Sequence, residues 1–252
     1  MVLVQATPGR VRLRSCAGHV DVSDRSPWHD HAPLRALARR YPALARAEPP
    51  TRRELATLFA AGDWRLVAPS SRTHGYEQAI ADGCIPTRDH SWHDAFNLVV
   101  FAGFPAAKRA LHARVRAAQA RRPAAGPRSR EEDALALLDE TALLVVGDEA
   151  TIARFDAARG LADLEGMDAA LGDRGGAFVF GHALLEHLVL GRAPIGAGVC
   201  TLVHERPHDR GAVDLALAAV ITAGRFAAPC FAPTVPWPDE RVEAWCCVPD
   251  VA

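Results

Sequence analysis

The stretch Ser-Trp-His-Asp-Ala-Phe-Asn at 91–97 sets His93 beside Asp94 and four residues before Asn97. Histidine can act as acid, base or metal ligand near neutral pH. If the stretch is helical, His93 and Asn97 share one face while Asp94 turns about 100° away. Further on, His-Ala-Leu-Leu-Glu-His-Leu at 182–188 gives His182 and Glu186 the same four-residue spacing. Such a pair can hold a divalent cation from one helix face. It is not the His-Glu-x-x-His motif, and a single His-x-x-x-Glu is frequent by chance. Of 29 basic side chains one is a lysine, Lys108, and the chain has one asparagine, Asn97. A composition that uses arginine everywhere else points to a requirement at 108 for a compact, titratable ammonium. Lys108 and His112 are again four apart, so a second helix folding back after Pro105 would turn its polar face toward that of the first. Arg88, just ahead of the first helix, could join that helix's N-terminus and Lys108 in an anion pocket.

Plainer roles compete for the same residues. Ser91 with Asp94 is an S-x-x-D capping box ahead of an apolar run, and a first-turn carboxylate also suits the helix dipole. His93 reads equally as a first-turn histidine bonded to a carbonyl, Asn97 as a buried amide satisfying loop backbone, and Lys108 as a surface residue. His182 and Glu186 could bond each other inside an apolar helix. Asp133 and Asp139 are read as structural. If an extended strand joins them they lie roughly 20 Å apart and cannot share a cation. Asp133 then anchors the strand entry. Asp139 and Glu140 sit at the turn, the better of these acids for a site, although turns favour acids anyway.

The elements that must position these groups follow from periodicity and breakers. Helices are expected over 32–41, over 50–62 with a Thr51/Glu54 capping box and Gly62 as the stop, around 76–83, over 92–103 and 106–120, at 149–158 and 167–172, after 180, and over 212–224. Short strands are expected at Val11–Arg14, 64–68 and 198–205. Residues 134–147, Ala-Leu-Ala-Leu-Leu-Asp-Glu-Thr-Ala-Leu-Leu-Val-Val-Gly, read as two strands around a polar turn. The result is a helix-rich α+β domain with a small sheet that includes this hairpin. Residues 1–27 form an irregular segment and 28–252 one globular domain, with the loop at 121–131 as a sub-boundary. The proline-rich tail is expected to be extended and packed by Trp237 and Trp245.

Bulk properties narrow the function classes. Net charge is −1 with 49% apolar residues, so no global field favours nucleic acid or an anionic membrane, and a sizeable core can form. The longest apolar runs fall short of the roughly 20 residues a membrane span requires. The N-terminus lacks an apolar core of signal-peptide length. The six cysteines make no C-x-x-C pair, which fits a reduced, cytoplasmic setting. There is no P-loop, no G-x-G-x-x-G after a strand and no G-x-S-x-G. No heptads occur, and no oligomeric state follows from the pattern.

Four segments together carry a resemblance: Tyr-Glu-Gln-Ala-Ile-Ala-Asp-Gly at 76–83 running through 97 into Phe-Pro-Ala-Ala-Lys-Arg-Ala-Leu-His at 104–112; Glu-Asp-Ala-Leu-Ala-Leu-Leu-Asp-Glu at 132–140; Val-Phe-Gly-His-Ala-Leu-Leu-Glu-His-Leu at 179–188; and the proline- and tryptophan-containing end. From about residue 28 onward the chain resembles an uncharacterised bacterial family, domain of unknown function 3025. Thr141 and Ala142 stand where the family pattern carries a glycine-containing turn. The resemblance implies no reaction. It does imply positions of interest: Tyr76, Glu77, Arg88, His93, Asp94, Asn97, Lys108, Asp133, Asp139, Glu140, His182 and Glu186.

Two functional expectations follow. The first is a hydrolase-like enzyme acting on a phosphate ester or similar small polar molecule, with a divalent metal as a candidate cofactor. In it His93, Asn97, Lys108, His182 and Glu186 form the catalytic cluster, and Arg88 and Glu77 contact substrate. The alternative is a non-catalytic ligand-binding or interaction protein whose polar residues form a buried structural network. Convergence of His93 and His182 in one open cleft separates the two.

Overall fold

The computed structural model describes residues 27–60, 63–69, 75–123, 126–192 and 197–224. The expected strand at Val11–Arg14, the Gly62 stop and the tail with Trp237 and Trp245 lie outside these residues. The described helices are α1 (Pro27–Asp30), α2 (Ala32–Arg40), α3 (Arg52–Leu58), α4 (Tyr76–Ala81), α5 (Trp92–Gly103), α6 (Pro105–Arg121), α7 (Arg130–Thr141), α8 (Glu149–Gly160), α9 (Leu164–Leu171), α10 (His182–Val189) and α11 (Arg210–Thr222). The strands are β1 (Arg65–Val67), β2 (Cys84–Pro86), β3 (Ala142–Gly147), β4 (Gly175–Val179) and β5 (Gly198–Val203). This is the helix-rich α+β architecture that the sequence implies.

A three-stranded sheet in the order β4-β3-β5 divides the core, with β3 antiparallel to β4 and parallel to β5. Side chains alternate across a strand, and β3 is buried on both sides. Leu143 and Val145 enter one apolar cluster with Phe96, Leu184 and Leu185. Leu144 and Val146 enter the other with Phe104, Leu135 and Leu217. Thus α5 and α10 cover one face, and α6, α7 and α11 the other. Strands β1 and β2 form a separate parallel pair.

The hairpin expected at 134–147 does not form. Residues 130–141 are helical, opened by a complete capping box in which Ser129 and Glu132 satisfy each other's backbone N–H. Ala134, Leu135 and Leu138 are buried while Leu137 is 47% exposed, a helical rather than a two-residue period. The β-branched pair Val145–Val146 comes only after Ala142, where the strand begins. Asp133 therefore sits in the first turn of a helix, not at a strand entry. Six helical residues also separate Asp133 from Asp139 by only about 9 Å. Strand β2 was not anticipated either, being three residues inside a stretch that reads as loop.

Two junctions bring the site together. Pro105 opens α6, where its missing N–H costs nothing, and the next two amides, of Ala106 and Ala107, donate to the Asp214 carboxylate of α11 at 2.9 and 2.7 Å. At the other junction the amides of Phe180 and Gly181 both donate to the Ala142 carbonyl at 3.0 and 2.8 Å. A Cβ on Gly181 would fall 2.3 Å from the Ala142 nitrogen. Absence of a side chain at 181 lets the turn before α10 lie on the α7–β3 junction, so that His182 starts α10 directly beside Asp139 and Glu140.

Candidate functional site

α5 presents His93 and Asn97 on one face, as expected, with Ser91 accepting the Asp94 amide at 3.2 Å. The other half of the expected capping box is missing. The Asp94 carboxylate instead accepts from the Arg88 amide, Nε and Nη2 at 2.6, 3.0 and 2.7 Å. Burial opposes the charge on Asp94, but these bonds outweigh it and hold the carboxyl below its ordinary range. Arg88 ties the β2–α5 loop to the helix start, and does not meet Lys108 as sequence reasoning supposed.

α6 does fold back on α5. Lys108 is fully buried. Its ammonium donates to Asn97 Oδ1 at 2.7 Å and to the Asp139 carboxylate, and it lies 4.5 Å over the Phe101 ring. All its donor directions are thus taken up within the fold, which is neither a surface lysine nor a free anion anchor. Burial alone would raise Asp139. The Lys108 ammonium, with His182 and His112, reverses this and holds the carboxyl well below the usual range. Asn97 passes the network on, its Nδ2 donating to the Tyr76 hydroxyl at 2.8 Å. Burial, together with the charges of Asp139 and Glu77, raises the Tyr76 phenol and keeps it protonated.

The two histidines converge. His93 Nδ1 meets Glu186 Oε2 at 3.0 Å, and its Nε2 lies 3.0 Å from His182 Nε2. The rings are nearly perpendicular, 4.4 Å between centres. His182 Nε2 is also 3.4 Å from Glu140 Oε2, while its Nδ1 faces Asp139 Oδ1 at 3.8 Å with no hydrogen-bond partner among the described residues. Burial pushes His182 down to about 3, against the pull of Asp139, so it is neutral in ordinary buffers. Burial raises Glu140, a shift that His93 opposes and Asp139 reinforces. His93, Glu140 and His182 can each offer a ligand atom, all within 4.8 Å of one another.

A cavity of about 590 Å³ opens onto these groups. Its walls include Arg88, His93, Asn97, Glu140 and His182. Glu77 lies on the same wall and pairs with His112 Nδ1 at 2.8 Å. Of the residues expected from sequence, His93 meets both Glu186 and His182, Lys108 meets Asn97, and Arg88 meets Asp94, while Glu77 shares the cavity wall with His93, Asn97, Arg88, Asp94 and His182. Asp133 is not: it is exposed and pairs with Arg128 at 3.4 Å. Asp139, expected at a turn and read as structural though the better placed of these acids for a site, is on a helix as the partner of Lys108. Glu140 and His112 were underweighted, the first because the helix carrying it was read as strand. Cys84 is buried, with Arg65 Nη2 donating to its sulfur at 3.1 Å, and it takes no part in the cavity.

A family model described as "Protein of unknown function (DUF3025)" matches residues 64–238. That is well over half of the chain, which belongs to this family. The match spans every residue of the cavity wall named above. Neither a curated protein nor a solved structure matches. Among the described residues no helix is long and apolar enough to cross a membrane.

Proposed function

We propose that this member of the family is a metal-assisted hydrolase for a small polar substrate carrying an oxyanion, such as a phosphate ester. One observation carries the reading: two imidazole nitrogens, His93 Nε2 and His182 Nε2, face each other at 3.0 Å. Glu186 accepts from His93 Nδ1, which fixes the tautomer and leaves a lone pair on Nε2. While His93 is neutral, neither placement of the His182 hydrogen satisfies both nitrogens of that ring. With its hydrogen on Nε2 it can bond His93, but Nδ1 sets a bare lone pair beside the Asp139 carboxylate. With its hydrogen on Nδ1 that clash is relieved, but two Nε2 lone pairs point at each other. A cation between them resolves both. Two ligands 2.0–2.1 Å from a tetrahedral ion lie about 3.3 Å apart, close to the 3.0 and 3.4 Å separations about His182 Nε2.

Glu140 supplies the third ligand and the cavity the open position that a catalytic site needs. A bound cation there would lower the pKa of a water and polarise the bond to be broken. Hydrolysis adds that water across the ester: its hydroxyl goes to phosphorus or carbon and its proton to the leaving oxygen. In this reading Glu186 is an orienting group. Lys108 and Asp139 are positioned as a buried polar network beneath the ligands, the arrangement that the alternative expectation describes. The test is calorimetric titration of chelator-treated protein with Zn2+ and Mn2+. One ion per chain is expected, lost in His93→Ala and His182→Ala variants that keep their far-UV dichroism. Absence of stoichiometric binding to the folded wild type overturns the proposal.

A further inference from the structure

We infer that Tyr76 is the hydrogen-bond donor of this cavity to a substrate oxyanion, aimed by Lys108 through Asn97. The direction of each bond is dictated by donor chemistry. An ammonium has donors only, so the Asn97 atom that meets Lys108 Nζ at 2.7 Å is the carbonyl oxygen. The amide orientation, ordinarily ambiguous, is thereby fixed. Its Nδ2 faces the Tyr76 oxygen at 2.8 Å and can only donate. Tyr76 must accept, so its own hydrogen points away from the network, and among the described residues no acceptor takes it. Tyr76 lines the cavity together with His93, Glu140, His182 and Arg88. Asn97 lies one helical turn from His93 on the same face of α5, which places the donor beside the two histidines.

The surroundings suit an anion. Arg88 neutralises Asp94 and Lys108 neutralises Asp139. Arg88 uses its Nε and Nη2 on Asp94 and its side chain is 59% exposed, so its remaining N–H groups are open to a ligand. A preorganised neutral donor needs no reorganisation when charge develops on a substrate oxygen. Lys108 and Asn97 are positioning residues; Tyr76 is the one that touches substrate. The substrate class rests on the hydrolase reading above, whereas the direction of the phenol hydrogen does not.

Inorganic phosphate is the probe, titrated calorimetrically into the full chain with and without added Zn2+. Tyr76→Phe should weaken phosphate about tenfold or more and leave the Zn2+ stoichiometry unchanged. The chain has two tyrosines, so Tyr41→Phe leaves Tyr76 as a lone Raman reporter. Its Fermi doublet, which distinguishes donating from accepting phenols, should move toward stronger donation when phosphate binds. In Asn97→Asp the amide donor becomes an acceptor. The phenol must then donate inward, and the donating signature should appear without phosphate. Failure of wild-type protein to bind phosphate, equal affinity in Tyr76→Phe, or a doublet indifferent to phosphate overturns the inference. A Tyr76 effect without Zn2+ binding would sink the metal reading alone.

Discussion

Lys108→Met removes a fully buried ammonium and leaves the Asp139 carboxylate, whose side chain is 16% exposed, with no cation. Breaking a buried pair from one side costs about 3–5 kcal/mol, a large share of the 5–15 kcal/mol by which a domain of this kind is stable. Urea unfolding followed by far-UV dichroism in the presence of a chelator measures it. The pH dependence gives an independent check of sign. In the wild type the folded carboxyl of Asp139 lies below its unfolded value of about 3.9. Its contribution is therefore fully present above that pH and lost as pH falls further. In Lys108→Met the burial that opposes ionisation is no longer overcome, so the folded pKa should rise above 3.9. The variant should then lose stability as pH rises from about 4, a slope of opposite sign. Adding Asp139→Leu removes the stranded charge and should restore stability to within about 1 kcal/mol of wild type. A cost below about 1 kcal/mol for Lys108→Met, as for an exposed pair, with no inversion of slope, would refute the reasoning.

Three further outcomes follow from the same structure. Asp214→Ala strips the α6 N-terminus of the carboxylate that takes two of its amides and should cost about 1–2 kcal/mol, read as a shift in urea midpoint. Gly181→Ala puts a Cβ 2.3 Å from the Ala142 nitrogen; the forced backbone shift should cost at least about 2 kcal/mol and also weaken metal binding, because His182 moves with it. His182 has its folded pKa depressed to about 3 against about 6.5 unfolded. Its contribution is complete above pH 6.5 and is lost as pH falls toward 3, at up to about 1.4 kcal/mol per unit. A His182→Gln variant measured in chelator should show a flatter stability profile over that window.

The chemistry-bearing residues were more legible in the sequence than the elements that join them. Four-residue spacing and the rarity of Lys108 and Asn97 identified a face that the structure does assemble, because helical geometry alone relates His93 to Asn97 and Lys108 to His112. What periodicity could not supply was the partner of each group. Asp94 looked like a capping residue, yet its carboxylate is committed to Arg88, a contact made by the chain doubling back before the helix. The region 134–147 failed for a physical reason: Leu and Ala fit a strand or a helix alike, and the Ser129/Glu132 capping box, which settles the choice, lies upstream of the apolar run. That error left Asp139 and Glu140 at a turn, where their contacts with Lys108 and His182 could not be foreseen. The Gly181 turn was illegible for another reason, since only a long-range close approach to Ala142 shows why a side chain is excluded there.

The most direct measurement is X-ray absorption at the zinc edge of the stoichiometrically loaded protein, compared with His93→Ala and His182→Ala. Two imidazole nitrogens at about 2.0–2.1 Å and one carboxylate oxygen at about 2.0–2.2 Å are predicted in the wild type, with one imidazole lost in each variant. A first shell built of oxygen alone, or one unchanged by both substitutions, would contradict the assignment of this cavity as a metal centre.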